Sequence, residues 1–205
     1  MHKIRYFSYT KTLAASFRKI QMIEIFKTDK IPSDFLEALR LSMNYGFISK
    51  QEIWDWALKS IQSSDNYDPI LLDLVKGKGP DGRQIDFALK TKTQNNNTDK
   101  SFRILISFIN SQVSKQEITL EEAANKLYNY TLELEIKEPE RNLLYQFDND
   151  IYLAKSQITG DINSIKKELI ETLHIYQKLS FHNYKNWSLI NKEIDLRIKP
   201  AANIG

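Results

Sequence analysis

Six glycines and five prolines are spread over 205 residues. So few backbone punctuators leave long unbroken stretches, which suit helices with short connections better than many short strands. The helix signals agree. Ser33 is placed to cap a helix through about Tyr45, ended by Gly46. Ser49 with Glu52 three residues on is a capping box, opening a helix through about Gln62. Asp68-Pro69 starts a short helix that Gly77 can end, and Arg83 to Lys92 reads as another. Asp99 opens a helix to about Val113 whose apolar residues cover most of its circumference, the mark of a central, buried helix. Thr119 with Glu122 is a second capping box, for a helix to about Glu135. Glu138-Pro139 leads the next, to about Thr159, and Gly160 breaks it. Ile162, Ile165, Leu169, Leu173 and Tyr176 then form one stripe of an amphipathic helix over residues 161–179. The tail from Phe181 holds one more helix and a loose end at Pro200–Gly205. The expected fold is all-α, a single-domain bundle of about seven to nine helices.

Part of this order occurs twice. Ile48, Ser49 and Glu52 correspond to Ile118, Thr119 and Glu122 at an offset of 70 residues, and Asp68-Pro69 to Glu138-Pro139 at the same offset. Two stacked helix-pair repeats would explain this, each burying the apolar face the other cannot cover alone; chance agreement is the competing explanation. The polar stretch Gln94–Thr98 is the best place for a boundary between sub-lobes.

The net charge of +3 is unevenly placed. Residues 1–21 carry five bases and no acid, so residues 22–205 sum to −2. The first 21 residues read as a basic arm, either a targeting segment or an extension before a start at Met22, and residues 22–205 as the helical domain. With the basic excess confined to the arm, nucleic-acid binding is not expected. No apolar run reaches the ~20 residues that span a bilayer, so no membrane association is expected. Cysteine is absent, which removes disulfides, thiolate nucleophiles and cysteine metal sites and fits a cytoplasmic location.

Patterns that could carry chemistry fail on context. Gly77, Gly79 and Gly82 match a dinucleotide-loop spacing, but a helix precedes them and Pro80 removes an amide that a phosphate would need; a helix–helix turn is the better reading. Asp148-Asn149-Asp150 begins like a calcium loop, but Tyr152 and Leu153 stand where a ligand and glycine belong. His2, His174 and His182 have no metal spacing. No catalytic, cofactor-binding or metal residue is assigned, and no cofactor is expected.

Binding has better candidates. Ile53, Trp54, Ala57, Leu58 and Ile61 define the expected buried face of their helix. Trp56, roughly 200° round from Trp54, points off that edge, where it either anchors a partner or packs under a neighbouring helix. Tyr128, Tyr130 and Tyr145 read as core edges. Residues 117–150 carry nine acids, among them Glu133, Glu135, Glu138, Glu140, Asp148 and Asp150, against three bases. On one side of a bundle these would steer a basic partner; as an ordinary solvated face they would only confer solubility.

Residues 39–75, LRLSMNYGFISKQEIWDWALKSIQSSDNYDPILLDLV, resemble the opening of small bacterial helical families in which a Gly turn and a Ser cap start one helix and a proline leads the next. Some of those families look like immunity proteins of toxin systems. The resemblance implies a non-enzymatic protein whose partner is a basic toxin domain, blocked by direct contact. Two other functions remain open. One is a helical adaptor or organellar assembly factor with a cleavable arm; the other is an enzyme built on clustered carboxylates.

Overall fold

Local caps fix where the helices begin. In the computed structural model, which describes residues 30–77, 79–94 and 98–201, the Ser49 hydroxyl accepts from the Glu52 amide and the Glu52 carboxylate accepts from the Ser49 amide; Thr119 and Glu122 do the same. Asp81 and Asp161 cap further helices by accepting from Arg83 and from Asn163 and Ser164. Each cap occupies one of the amides that a helix start leaves without an intrahelical partner. Among the described residues there are nine α-helices and no strand. They are α1 (Ser33–Asn44), α2 (Lys50–Gln62), α3 (Ile70–Leu74), α4 (Gly82–Thr93), α5 (Arg103–Ser114), α6 (Leu120–Glu133), α7 (Glu140–Lys155), α8 (Ile162–Ile175) and α9 (Trp187–Ala201), with a 3-10 turn at Phe181–Asn186. No helix among the described residues is long and apolar enough to cross a membrane. The basic arm of residues 1–21, Met22 and the tail beyond Ala201 lie outside the described residues.

The helices gather into two compact units, divided between Thr98 and Asp99 at the end of the polar stretch. In the first, α1 packs on α4, α4 on α3 and α3 on α2, and Phe181–Tyr184 joins this unit. Phe35 of α1 is its aromatic centre, 5.8 Å from Trp56 and edge-on to Phe181 and Tyr184 at 5.2 and 5.3 Å. Asp68, fully buried, accepts from the amides of Ile31 (2.8 Å) and Ile70 (3.0 Å) and pairs with Lys92. This is how the acid before Pro69 starts α3. In the second unit α5 packs on α8 and α6, α7 lies between α6 and α8, and α9 packs on α7. Ile104, Leu105, Ile106 and Ile109 bury most of the circumference of α5, as its sequence requires.

The offset of 70 runs through three helices of each unit. Starts at 33, 50 and 70 recur at 103, 120 and 140, and the capping boxes recur with them. The chain reversal repeats as well. Gly46 (φ +76°) and Gln116 (φ +57°) are both left-handed. Phe47 donates to the Ser42 carbonyl at 2.8 Å and Glu117 to the Gln112 carbonyl at 2.9 Å, the six-to-one bond of a Schellman cap. The fourth helices, at 82 and 162, are offset by 80, because α7 has 16 residues where α3 has 5. In both units the first helix packs on the fourth. The repeating element is therefore four helices, where the sequence had suggested a pair. A Cβ at Gly46 would meet nothing within 4 Å, so Gly46→Ala carries only the left-handed backbone strain. Chemical denaturation should show a loss of about 1 kcal/mol.

Several expected boundaries shift. Pro32 occupies the cap position of α1, and Ser33 is its first residue. Asp99 pairs with Lys137 instead of capping, so a turn precedes α5. The seventh helix stops at Lys155, short of Thr159, because Gln157 turns left-handed (φ +56°) and Ile158 donates back to the Leu153 carbonyl at 3.0 Å. Gly77 and Gly79 lie in the helix–helix turn between α3 and α4, and Gly82 is the first residue of α4; Lys78 within the turn is outside the described residues.

Candidate functional site

Two features of the second unit stand out, an exposed face on the α6–α7 hairpin and a buried ionic cluster. Trp56, read either as a partner anchor or as packed under a neighbouring helix, is in neither. It is 1% exposed in the first unit, against Phe35, so it is a core residue. The buried face of α2 is Glu52, Ile53, Trp56, Ala57 and Ser60, and Trp54, Leu58 and Ile61 lie at its edge. Ser60 is polar yet fully buried, which is why counting apolar residues turned the helix the wrong way.

The acids also divide. Glu133, Glu135 and Glu138 are exposed around the α6–α7 connection, and Asp148 and Asp150 are half-buried on α7. Glu140 is a correction. It is buried and takes a bidentate pair from Arg103, with Nε to Oε1 at 2.9 Å and Nη2 to Oε2 at 2.8 Å. The Tyr176 hydroxyl donates to Oε1 at 2.7 Å. Arg103, itself buried, also donates to Asp195 (2.7 Å) and to the Asn191 side chain (3.0 Å). A buried carboxylate needs this density of partners.

Beside the cluster lies a cleft of about 260 Å³, whose charged wall includes Asp99, Lys100, Lys137, Glu138 and Asp195. Its cations are committed: Lys100 pairs with Asp195, Lys137 with Asp99 and Arg103 with Glu140. Burial opposes ionisation of Asp195, but hydrogen bonds from Lys100 and Arg103 outweigh it and hold the carboxyl below its ordinary range. Burial likewise opposes the Arg103 charge, and Glu140 with Asp195 raises its pKa all the same. Burial, then Glu140, pushes the Tyr176 phenol well up. A general acid or base is tuned toward neutrality, whereas Asp195 and Arg103 are held in their ordinary charged forms. The arrangement ties α5, α7 and α9 together. Among the described residues no cluster of histidine, aspartate and glutamate side chains could hold a metal ion.

The exposed face is built by helical spacing. Asn125, Tyr128 and Leu132 share one side of α6, and Arg141, Tyr145, Asp148 and Tyr152 one side of α7. The Tyr128 and Tyr145 rings meet at 5.0 Å, which puts both stripes on the same side of the hairpin. Tyr145 is 45%, Leu132 62% and Tyr152 65% exposed. Of the tyrosines read as core edges, only Tyr130 is buried. The Tyr128 phenol is raised, chiefly by the Tyr145 hydroxyl, with Asp148 adding to it. Glu121, at the far end, meets Lys166 at 3.1 Å and Lys155 at 3.3 Å. Sequence inspection could have found the stripes from their spacing, but not that the two face the same way.

Glu121 makes the hairpin acid-sensitive. Its own backbone amide, then Lys166 and Lys155, lower its pKa from 4.5 to about 2. A folded-state pKa below the unfolded one contributes stability above pH 4.5 that is lost as pH falls toward 2. Solvent screening at this partly exposed site holds that contribution to about 1 kcal/mol. Glu121→Gln should therefore be less stable than the parent by that amount at neutral pH, with the gap closing near pH 2 in a pH series of urea titrations.

No protein-family model matches the chain, and neither a curated protein nor a solved structure does.

Proposed function

We propose that this chain is a non-enzymatic protein-binding protein of the immunity type. It acts in the cytoplasm and neutralises a basic toxin domain by covering it. The observation that carries the reading is the α6–α7 face, where exposed Tyr145, Tyr152 and Leu132 lie on a hairpin rich in acids. Tyrosine gives much contact area for little side-chain entropy and is enriched at binding hot spots. Acids around it steer a cationic partner and weaken its competitors. The likeness of residues 39–75 to immunity families agrees with this use. The anchors are Tyr145 and Tyr152, with Glu133, Glu135, Glu138, Asp148 and Asp150 supplying the field; Trp56 and Glu140 hold the fold.

The test uses the full chain on resin, source-cell lysate, and the captured partner's own activity. One equivalent of the chain should abolish that activity. Tyr145→Ala with Tyr152→Ala, at an unchanged thermal midpoint, should need at least tenfold more. Equal inhibition by the variant, or a retained partner whose activity is untouched, would defeat the proposal.

A further inference from the structure

We infer that the α6–α7 face takes a basic amphipathic helix of about three turns from its partner. This rests on the reading of the hairpin as a protein-binding surface and adds the shape and charge of what it binds. The shape follows from the two stripes. Antiparallel helices joined by a short connection leave a seam between their ridges, and a third helix laid along such a seam buries its own apolar stripe. Here the Tyr128–Tyr145 pair sits midway along the seam, with Leu132 and Tyr152 on either side. From Arg141 to Tyr152 the stripe advances eleven residues, about 16 Å at 1.5 Å per residue. An occupant of roughly 11–14 residues matches that length.

The charge follows from the composition of the hairpin. Residues 120–155 carry eight acids against four bases; with Glu140 buried against Arg103 and Glu121 paired with Lys155, six acids remain against Lys126, Lys137 and Arg141. Asp148 stands near enough to Tyr128 to act on its phenol, so an aromatic surface and a carboxylate are presented together. An arginine or lysine flanking the partner's apolar stripe would lie on a tyrosine ring and reach Asp148 at once, combining a cation–π contact with a charge-assisted hydrogen bond. An acidic helix of the same shape would meet like charge at Asp148 and at the exposed Glu133, Glu135 and Glu138 around the connection.

The probe is a synthetic 14-residue helical peptide with leucines at spacings of three and four and lysines on both flanks. It is titrated into the full chain by calorimetry and by amide chemical-shift mapping. Two controls have the same length: a sequence scramble, which keeps the charge but loses the stripe, and a version with glutamate for lysine. The expected result is binding by the helical basic peptide with shifts on residues 125–152. That binding should weaken at least tenfold for the scramble, for the glutamate version and for Tyr145→Ala with Tyr152→Ala. Equal binding by the scramble, or by the double variant, overturns the inference. If the natural partner is lost in the double variant while the helical peptide fails to bind the parent chain, the helix inference falls and the protein-binding reading stands. If the double variant still neutralises the partner, both fall.

Discussion

Arg103→Ala should lower the free energy of unfolding by about 3–5 kcal/mol, the range for breaking a buried ion pair by removing one partner. The guanidinium is buried and donates to Glu140 through two nitrogens while also serving Asp195 and Asn191. Alanine leaves the Glu140 carboxylate buried with Tyr176 as its remaining hydrogen-bond donor. The cost is thus mainly an uncompensated charge, not lost packing. Two further variants separate these. Glu140→Gln, which keeps the shape and a neutral acceptor, should cost less than Arg103→Ala. Arg103→Met combined with Glu140→Leu removes both charges and should recover most of the loss, since apolar replacements of a buried pair are often near neutral. Urea unfolding followed by circular dichroism measures all three. A loss under 1 kcal/mol for Arg103→Ala would show that the pair is solvated and the cluster open.

Trp56→Ala should cost a similar amount, about 3–5 kcal/mol, the usual range for truncating a buried large aromatic. The indole is 1% exposed and its ring stands 5.8 Å from Phe35, which also carries Phe181 and Tyr184. Truncation opens a cavity beside the residue that organises the first unit. Trp56→Phe should retain most of the stability because it keeps the contact with Phe35. Stability and binding should move apart: Trp56→Ala lowers the unfolding midpoint and leaves partner affinity per folded molecule unchanged, while Tyr145→Ala does the reverse. An alanine variant of Trp56 that folds with its parent's stability but loses its partner would restore that residue as an anchor.

Helix starts marked by a capping box were legible because each depends on a few adjacent residues, whereas the starts expected from Ser33 and Asp99 were not, since Pro32 and Phe102 hold those cap positions. Ser49–Glu52 and Thr119–Glu122 form the boxes their spacing specifies, and the offset between them marked a repeat that continues into the Schellman caps. Helix ends were less legible. Gln157 and Gln116 adopt left-handed φ without being glycine, so nothing in their residue type announces a stop. Burial was legible for α5, which is apolar all round, and misleading for α2, where Ser60 lies inside and Trp54 at the edge. Glu140 looked like its neighbours Glu135 and Glu138, because the partner that buries it, Arg103, lies 37 residues upstream. The exposed tyrosine face required knowing that α6 and α7 pair with Tyr128 against Tyr145. Local capping could be read from the chain, whereas properties set by distant partners could not.

The most direct test of the binding face is amide hydrogen exchange on the full chain, with and without the captured partner. The account predicts added protection over residues 125–152, on α6 and α7, with α1 and α2 around Trp56 unchanged. Protection centred on α2, or on α3 and α4, with the hairpin unaffected, would contradict it.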